Sequence, residues 1–172
     1  KDCQTHYMTG EDFQVVADNE IAGITILSKM NNATNITNSN TQDYAEVTNV
    51  ASIAGVGAYA AVKSKKKLQP TNGKWRVGFT INSNVGLLGL QALKFFTIAL
   101  YNEGTRVDYG VSANNNLVSL DLIHINNQAT VRVSLETDKE FDCVALQTAG
   151  VADVQLSKLE IYNAFYEDAS CE

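Results

Sequence analysis

Alternation of apolar and polar residues with a period of two is the feature that most constrains the fold of this 172-residue chain. Segments 74–81, 96–102, 130–136 and 158–165 all show it. A period of two is typical of β-strands with one buried face, so each segment is predicted to be a strand. The predicted core faces carry Trp75, Val77, Phe79 and Ile81, then Phe96, Ile98 and Leu100, then Val131, Val133 and Leu135.

The last of these segments carries a polar residue on its apolar face. Parity places Asn163 together with Leu159, Ile161 and Phe165, and we expect all four side chains to point to the core. Turn clusters such as PTNGK, NEGT and SANNN separate the strands, and no convincing helix of ten or more residues has caps at both ends. This pattern predicts an all-β fold, an antiparallel β-sandwich of jelly-roll (galactose-binding-like) architecture with at most short helical turns.

The most apolar part of the chain is GLLGLQALKFFTIALYNEG, at 86–104. Gln91 and Lys94 interrupt it, and the uninterrupted run is shorter than the ~20 residues that a membrane-spanning helix needs. We therefore predict no transmembrane segment. From Phe95 onward the alternation predicts a strand, whereas 87–93 has a spacing nearer three and predicts one helical turn or a buried loop. A near-copy, LVSLDLI at 117–123, predicts a second apolar plug at an open end of the sandwich.

The length fits one domain over residues 1–172, with terminal tails at 1–12 and 168–172. The net charge of −6, from 13 basic and 19 acidic residues, disfavours nucleic acid as a partner. The only basic cluster is KSKKK at 63–67, which we interpret as a solvated strand end or turn.

Residues that typically support catalysis are scarce. The two histidines, His6 and His124, are interpreted as structural, and no nucleophile elbow, phosphate loop or zinc-protease motif occurs. Acidic residues cluster at 136–142 and 166–172, which we interpret as a turn and a tail rather than the paired carboxylates of a glycosidase cleft. We expect no enzymatic activity, no cofactor and no metal site.

Three cysteines, Cys3, Cys143 and Cys171, lack the spacing of a zinc site. Because chain ends are often close together in compact domains, a Cys3–Cys171 disulfide is one prediction. Such a disulfide requires an oxidising compartment. Three free thiols are the alternative, and Cys143 has no obvious partner.

Several segments together resemble a β-sandwich domain of secreted surface proteins from Bacteroides-type bacteria. They are NVASIAGVGAYAAV (49–62), KWRVGFTI, LLGLQAL, LVSLDLI, FTIALYNEGTRV, EFDCVAL and LSKLEIYNAFYE. The resemblance covers most of the chain, from about residue 18 to residue 167. It implies export to the extracellular side of the cell envelope (outer surface or periplasm), often as a lipoprotein. It also implies a role in adhesion or carbohydrate binding.

The stretch TNSNTQDYAEV (37–47) is similar in outline to the ligand-side or calcium-side loop of discoidin-like and carbohydrate-binding jelly rolls. Asn38 stands where the resembling pattern places an acid, which argues against calcium because hard cations favour several carboxylate and carbonyl oxygens.

Sandwiches commonly bind sugars with an exposed aromatic side chain flanked by polar groups. Tyr44, with Gln42 and Asp43 beside it, is the best-placed candidate, and Tyr101 and Tyr109, which flank the NEGT turn, are further candidates. Trp75 is interpreted as a packing residue because its parity puts it on the core face.

The leading functional hypothesis is an exported, non-enzymatic cell-surface module that binds a glycan or mediates adhesion to a surface protein. The alternative is a structural or assembly module that makes protein–protein contacts at the cell envelope. A hydrolase ranks third, because it needs a cleft with paired carboxylates that the sequence does not display.

Overall fold

Strands make up nearly all of the regular structure. The computed structural model of the protein describes residues 3–16, 26, 29–48, 57–83, 93, 95–111, 115–125, 128–148 and 158–171. Within these residues the chain forms twelve strands and one short 3₁₀ helix, Ala33–Ile36. The strands are β1 (His6–Tyr7), β2 (Phe13–Val16), β3 (Lys29–Asn31), β4 (Ala45–Thr48), β5 (Ala58–Leu68), β6 (Trp75–Ser83), β7 (Phe96–Asn102), β8 (Thr105–Gly110), β9 (Leu117–Ile125), β10 (Gln128–Thr137), β11 (Phe141–Thr148) and β12 (Lys158–Asp168).

The strands form two antiparallel sheets that pack face to face. In the described part of the chain, one sheet has the order β3-β4-β12-β6-β10-β9, with β1 also paired to β12, and the other has the order β2-β5-β11-β7-β8. Eight of the strands form four nested pairs, which belong alternately to the two sheets: β4 with β12, β5 with β11, β6 with β10 and β7 with β8. Pairing the first strand with the last, and so on inward, is the jelly-roll arrangement, so the predicted fold class is confirmed.

The core lies between the sheets and follows the predicted parity. In β6, β7 and β10 the predicted core residues are at most 3% exposed, apart from the half-buried Trp75 at the start of β6. Each of these strands alternates between the core and the opposite face, as a pleated strand requires. The fully buried residues include Phe79, Phe96, Ile98, Leu100, Leu135 and Val133. The prediction for these three strands is confirmed.

In β12, the predicted parity holds only for the first half of the strand. A β-bulge between Ile161 and Asn163 shifts the register against β6, and Ala164 rather than Asn163 packs in the core. Asn163 is buried on the opposite face, where its Oδ1 accepts a hydrogen bond of 2.9 Å from the Thr80 hydroxyl. The prediction that Asn163 shares the core face with Leu159 and Ile161 is wrong, because the extra residue of a bulge reverses the side-chain alternation beyond it. Phe165 is fully buried, but on the face opposite the core, where the Arg132 guanidinium lies 3.8 Å from its ring centroid.

The apolar stretch at 86–104 is described only in part. Strand β7 begins at Phe96, as the alternation predicts, whereas 87–92 lie outside the described residues. The near-copy at 117–123 is not a plug: it belongs to β9 and pairs along β10, with Leu117 opposite Leu135. The near-copy therefore marks a strand rather than a repeated loop. Within the described residues, no helix has the length and apolar character to cross a membrane.

The two ends of the chain meet beside β12. Cys3 and Cys171 form a disulfide with their Cα atoms 5.6 Å apart, and β1 pairs with the end of β12. Met8 is fully buried, so the stretch predicted as an N-terminal tail contributes a strand and a core residue. In the stretch predicted as a C-terminal tail, the carbonyl oxygen of Cys171 accepts a 3.0 Å hydrogen bond from the guanidinium of Arg76. Both predicted tails are held against the sandwich by these contacts.

We expect removal of the disulfide to lower the free energy of unfolding by about 2–4 kcal/mol, because the crosslink joins the chain ends and restricts the unfolded chain. The measurement is urea unfolding of a Cys3→Ser/Cys171→Ser variant beside the oxidised parent. A Cys171→Ser single variant, which leaves Cys3 unpaired, should lose as much. An unchanged unfolding midpoint in the double variant would contradict the expectation.

The third cysteine is buried and should be chemically inert in the folded protein. Cys143 is 2% exposed, and burial, followed by the nearby charge of Asp142, raises the pKa of its thiol to about 12. Because the thiolate is the reactive form, we expect no alkylation by iodoacetamide at about pH 8 until the protein unfolds. Mass spectrometry should then find one modified thiol in the oxidised chain; rapid modification of the native protein would refute this.

Candidate functional site

The three central candidates from the sequence, Gln42, Asp43 and Tyr44, line a single cavity of about 390 Å³ beside β3 and β4. A volume in this range is typical of small-ligand sites. The other residues that line it are Asn31, Asn32, Asn35 and Glu46. We call this cavity the Asn-rich pocket.

Asparagine side chains give the loop around this pocket a defined shape. Asn32 adopts a left-handed backbone conformation, with φ 58°, and begins the 3₁₀ helix. Ile36 at the end of that helix is fully buried and anchors it to the core. Further along, Oδ1 of Asn38 accepts from the Asn40 amide and Oδ1 of Asn40 accepts from the Gln42 amide, both at 3.0 Å. Such side-chain turns replace the backbone hydrogen bonds of regular structure.

Two further asparagine contacts tie the candidate residues together. Nδ2 of Asn35 donates to the carbonyl oxygen of Tyr44 at 2.9 Å. Nδ2 of Asn38 donates to Oδ2 of Asp43 at 3.0 Å. Asn38, which replaces the acid of the resembling pattern, is thus a hydrogen-bond donor that holds a carboxylate in place.

Contacts with β12 hold the side chain of Tyr44 in place. Its ring lies 5.3 Å from the ring of Tyr162, and its hydroxyl interacts with Glu160. The negative charge of Glu160, and then the hydrogen bond to it, raise the pKa of Tyr44 above its ordinary value. Glu160 is buried and also accepts a 3.1 Å hydrogen bond from the Asn82 amide. The phenol of Tyr44 is therefore a neutral, immobilised ring at the wall of the pocket.

Several polar groups of the pocket keep their hydrogen-bonding capacity. Within the described part of the chain, the side-chain amides of Asn31, Asn32 and Gln42 make no hydrogen bond. The carboxylate of Glu46, opposite Asn31 across β3 and β4, is 3.5 Å from the ammonium of Lys158. Each amide supplies donors and an acceptor, and the carboxylates supply acceptors. Such a set can bind a ligand rich in hydroxyl groups.

The other two aromatic candidates lie in the five-stranded sheet, away from this pocket. Tyr101 is 5% exposed, and its hydroxyl accepts a 3.1 Å hydrogen bond from Nε2 of Gln147. Burial raises the pKa of Tyr101, and its ring packs with Cys143 and small alanines on the face opposite the core. Tyr109 is 42% exposed and carries the Arg106 guanidinium 4.4 Å from its ring centroid. Burial leaves Tyr101 unable to contact a ligand, and Tyr109 is not joined to the other candidates.

Sequence reasoning missed two kinds of site residue. Asn31 and Glu46 come together only through the register of β3 and β4, and no sequence signal specifies that register. Trp75 was predicted to be a packing residue, and its ring does contact Phe141 edge-on. Its half-buried ring also lines a second cavity with Tyr166. The signal that was available is position: Trp75 directly follows the PTNGK turn, so it lies at the end of the sandwich rather than at its centre.

Comparison of the chain with protein-family models, with curated proteins and with solved structures finds no match. A search of the described residues for three or more histidine, cysteine, aspartate or glutamate side chains grouped as metal ligands also finds none.

Proposed function

We propose that this protein is an exported, non-enzymatic module that binds a neutral glycan in the Asn-rich pocket. The observation that carries the proposal is the convergence of Gln42, Asp43 and Tyr44 in one cavity with unpaired amide groups. Amides can donate to and accept from sugar hydroxyl groups, and a fixed tyrosine supplies an apolar wall for the ring carbons. The pocket thus offers hydrogen-bonding groups for the hydroxyls of a sugar and an apolar surface for its ring carbons.

Charge favours a neutral glycan over an anionic one. Asp43 and Glu46 contribute carboxylates to the pocket, and the chain as a whole carries a net charge of −6. Two of the four lysines in the basic cluster near the end of β5 are paired with acids: the ammonium of Lys67 lies 3.0 Å from Asp142, and that of Lys66 lies 3.3 Å from Asp12. An anionic polymer would have to displace these partners.

Export is supported by the resemblance to secreted surface proteins and by the Cys3–Cys171 disulfide. Disulfides persist in oxidising compartments such as the periplasm and the cell exterior. The proposed location is therefore the cell envelope, on the outer surface or in the periplasm. The lipoprotein anchor that the resemblance implies is part of the same proposal.

The alternative role, as an assembly module, has less support. Among the described residues the large apolar side chains that are exposed are Tyr7 and Tyr109, which lie on different sheets. Large contiguous apolar patches mark interaction sites, and two side chains on different sheets do not form such a patch. Light scattering that finds a monomer at high protein concentration would agree with glycan binding as the main role.

The test is a glycan array followed by calorimetry with four neutral hexasaccharides: cellohexaose, mannohexaose, xylohexaose and galactohexaose (the hexasaccharide panel). We expect at least one to bind, and an Asn31→Ala/Gln42→Ala variant to bind it at least about tenfold more weakly, since each lost hydrogen bond contributes about 1 kcal/mol. Both side chains are exposed, so the variant should fold normally.

Gln14→Ala is the matched control, because Gln14 is also an exposed glutamine but lies on β2 of the other sheet. Its affinity should equal that of the parent. Two results would overturn the proposal: no binding to the array at high protein concentration, or binding that the pocket variant and the control affect equally. Shortening of the hexasaccharides during incubation would instead identify a hydrolase.

A further inference from the structure

A second cavity, of about 650 Å³, lies at the end of the sandwich where the two chain ends meet. Its walls come from β1, from the turn between β5 and β6, and from the end of β12. The residues that matter here are His6, Thr71, Asn72, Trp75, Tyr166 and Asp168. We call it the aromatic cavity.

Three stacked rings form one wall of the aromatic cavity. Tyr166 lies between Trp75 and His6, with ring centroids 4.5 Å and 5.0 Å away and interplanar angles of 22° and 15°. The stack follows from the sheet, because β6 and β1 flank β12 and His6 is directly opposite Tyr166. Trp75 also contacts Phe141 of the other sheet edge-on. The wall is therefore a continuous aromatic surface built across three strands.

Unpaired polar groups surround this wall. Within the described residues, the indole N–H of Trp75, the hydroxyl of Thr71 and the amide of Asn72 make no hydrogen bond. Thr71 and Asn72 are exposed at the rim, and Trp75 is half-buried. Together they provide donors and acceptors beside an aromatic surface, the combination that small-ligand sites use to fix orientation.

The carboxylates at the cavity are already engaged within the protein. Glu167 lies 3.6 Å from the Arg76 guanidinium and 3.5 Å from that of Arg132. Oδ1 of Asp168 accepts hydrogen bonds from the amide and the hydroxyl of Ser170, at 2.8 and 2.6 Å. Because Glu167 is paired with two guanidinium groups and Asp168 already accepts two hydrogen bonds, the cavity has no strong requirement for a cationic ligand. Its chemistry suits a neutral molecule with an apolar face and several hydroxyl groups.

We propose that the aromatic cavity is a second carbohydrate site, which holds one or two sugar units of a neutral oligosaccharide against the Trp75–Tyr166–His6 wall. It is separate from the Asn-rich pocket. Glu46 pairs with Glu160 near one end of β12 and Trp75 pairs with Asp168 at the other, which places the two sites roughly 26 Å apart along the strand. Two sites on one molecule raise the avidity for a polymeric glycan without any new contact.

The chain contains a single tryptophan, so intrinsic fluorescence reports on this cavity and not on the Asn-rich pocket. The experiment titrates the native, oxidised protein with each member of the hexasaccharide panel. We expect a saturable change in Trp75 emission with at least one sugar. A Thr71→Ala/Asn72→Ala variant should require about tenfold more of that sugar, since two hydrogen bonds are lost. Gln14→Ala, on β2 of the other sheet, should leave the titration unchanged.

Either of two results would overturn the second site. One is an emission spectrum that no member of the panel changes at millimolar concentration, even if calorimetry detects binding at the Asn-rich pocket. The other is a titration that is identical in the parent and in Thr71→Ala/Asn72→Ala, with both proteins shown to be folded by thermal melting. A saturable change in Trp75 emission, together with a calorimetric affinity that Asn31→Ala/Gln42→Ala does not change, would support the aromatic cavity as a sugar site and refute the Asn-rich pocket.

Discussion

Substitution of Gly78 by alanine is expected to lower the free energy of unfolding by more than about 4 kcal/mol, or to prevent folding altogether. Gly78 lies in the middle of β6, where the backbone of β10 approaches closely. A Cβ atom at this position would lie 1.9 Å from the carbonyl oxygen of Val133 and 2.6 Å from Cα of Ser134. Both are backbone atoms of a paired strand, so the contact is relieved only if the central sheet moves apart.

Gly110→Ala is the matched control for this prediction. A Cβ atom there would lie 3.1 Å from the Cδ1 atoms of Leu117 and Leu135 and 3.3 Å from the Cβ of Leu135. The Cδ1 atoms can move by a few tenths of an ångström, and the contact with the Leu135 Cβ is only slightly shorter than an ordinary one. We expect Gly110→Ala to change the free energy of unfolding by no more than about 1 kcal/mol in either direction. Soluble yield and urea unfolding measure both variants. Equal stability of the two variants would contradict the close approach of β10 to β6.

Phe79→Ala is expected to cost about 3–5 kcal/mol of the free energy of unfolding, which lowers the thermal midpoint by about 6–20 °C. Phe79 follows Gly78 on β6, faces the opposite side of the sheet and is fully buried between the sheets. Its cross-strand neighbours are Val133 on β10 and Ala164 on β12. Both neighbours are small, so they cannot fill the space that the lost ring leaves.

Tyr109→Ala is the control for aromatic truncation, because Tyr109 is 42% exposed on the edge strand β8. We expect this variant to cost less than about 1 kcal/mol, including the loss of its contact with Arg106. Calorimetric melting gives both values. A Phe79→Ala variant that melts within a degree or two of Tyr109→Ala would show that the space between the sheets is not tightly packed around Phe79.

The architecture could be predicted because burial on one face imposes a period of two on the sequence. Val77, Phe79 and Ile81 are buried as predicted, and the same holds for β7 and β10. Periodicity reports on one strand at a time, however, and it does not specify which strands pair. LVSLDLI at 117–123 shows this limit. Its apolar spacing resembles that of 87–93, which was predicted to be a helical turn or buried loop, yet the segment pairs with β10 over most of its length.

The predicted alternation of side chains along β12 was wrong beyond a single extra residue, the one that forms the β-bulge after Ile161. A bulge after Ile161 exchanges the faces of every later side chain, so Asn163 leaves the core and finds Thr80 as its partner. Asn163 itself indicated the break in alternation, because burying an asparagine side chain among apolar residues costs free energy unless it is hydrogen-bonded. A break in parity at Asn163 was thus a better interpretation of the sequence than a buried amide in the core.

The candidate site could be predicted only where it is local in sequence. Gln42, Asp43 and Tyr44 are consecutive, and the asparagine-rich loop that positions them carries its turn chemistry in its own side chains. Asn31, by contrast, reaches the pocket through strand register. Tyr101 was misjudged because flanking a turn does not guarantee exposure. Alternation along β7 places Tyr101 on the face opposite the core, where Cys143 and several alanines bury it.

The most direct test of glycan binding in the Asn-rich pocket is a titration of ¹⁵N-labelled protein with the hexasaccharide panel, in which NMR follows the side-chain amide signals. We expect the signals of Asn31, Asn32 and Gln42 to shift in a saturable way with the sugar that binds, while the signal of Gln14 on β2 stays in place. Side-chain amide signals of the pocket that remain unchanged throughout, whether or not a sugar binds elsewhere, would contradict the proposed function.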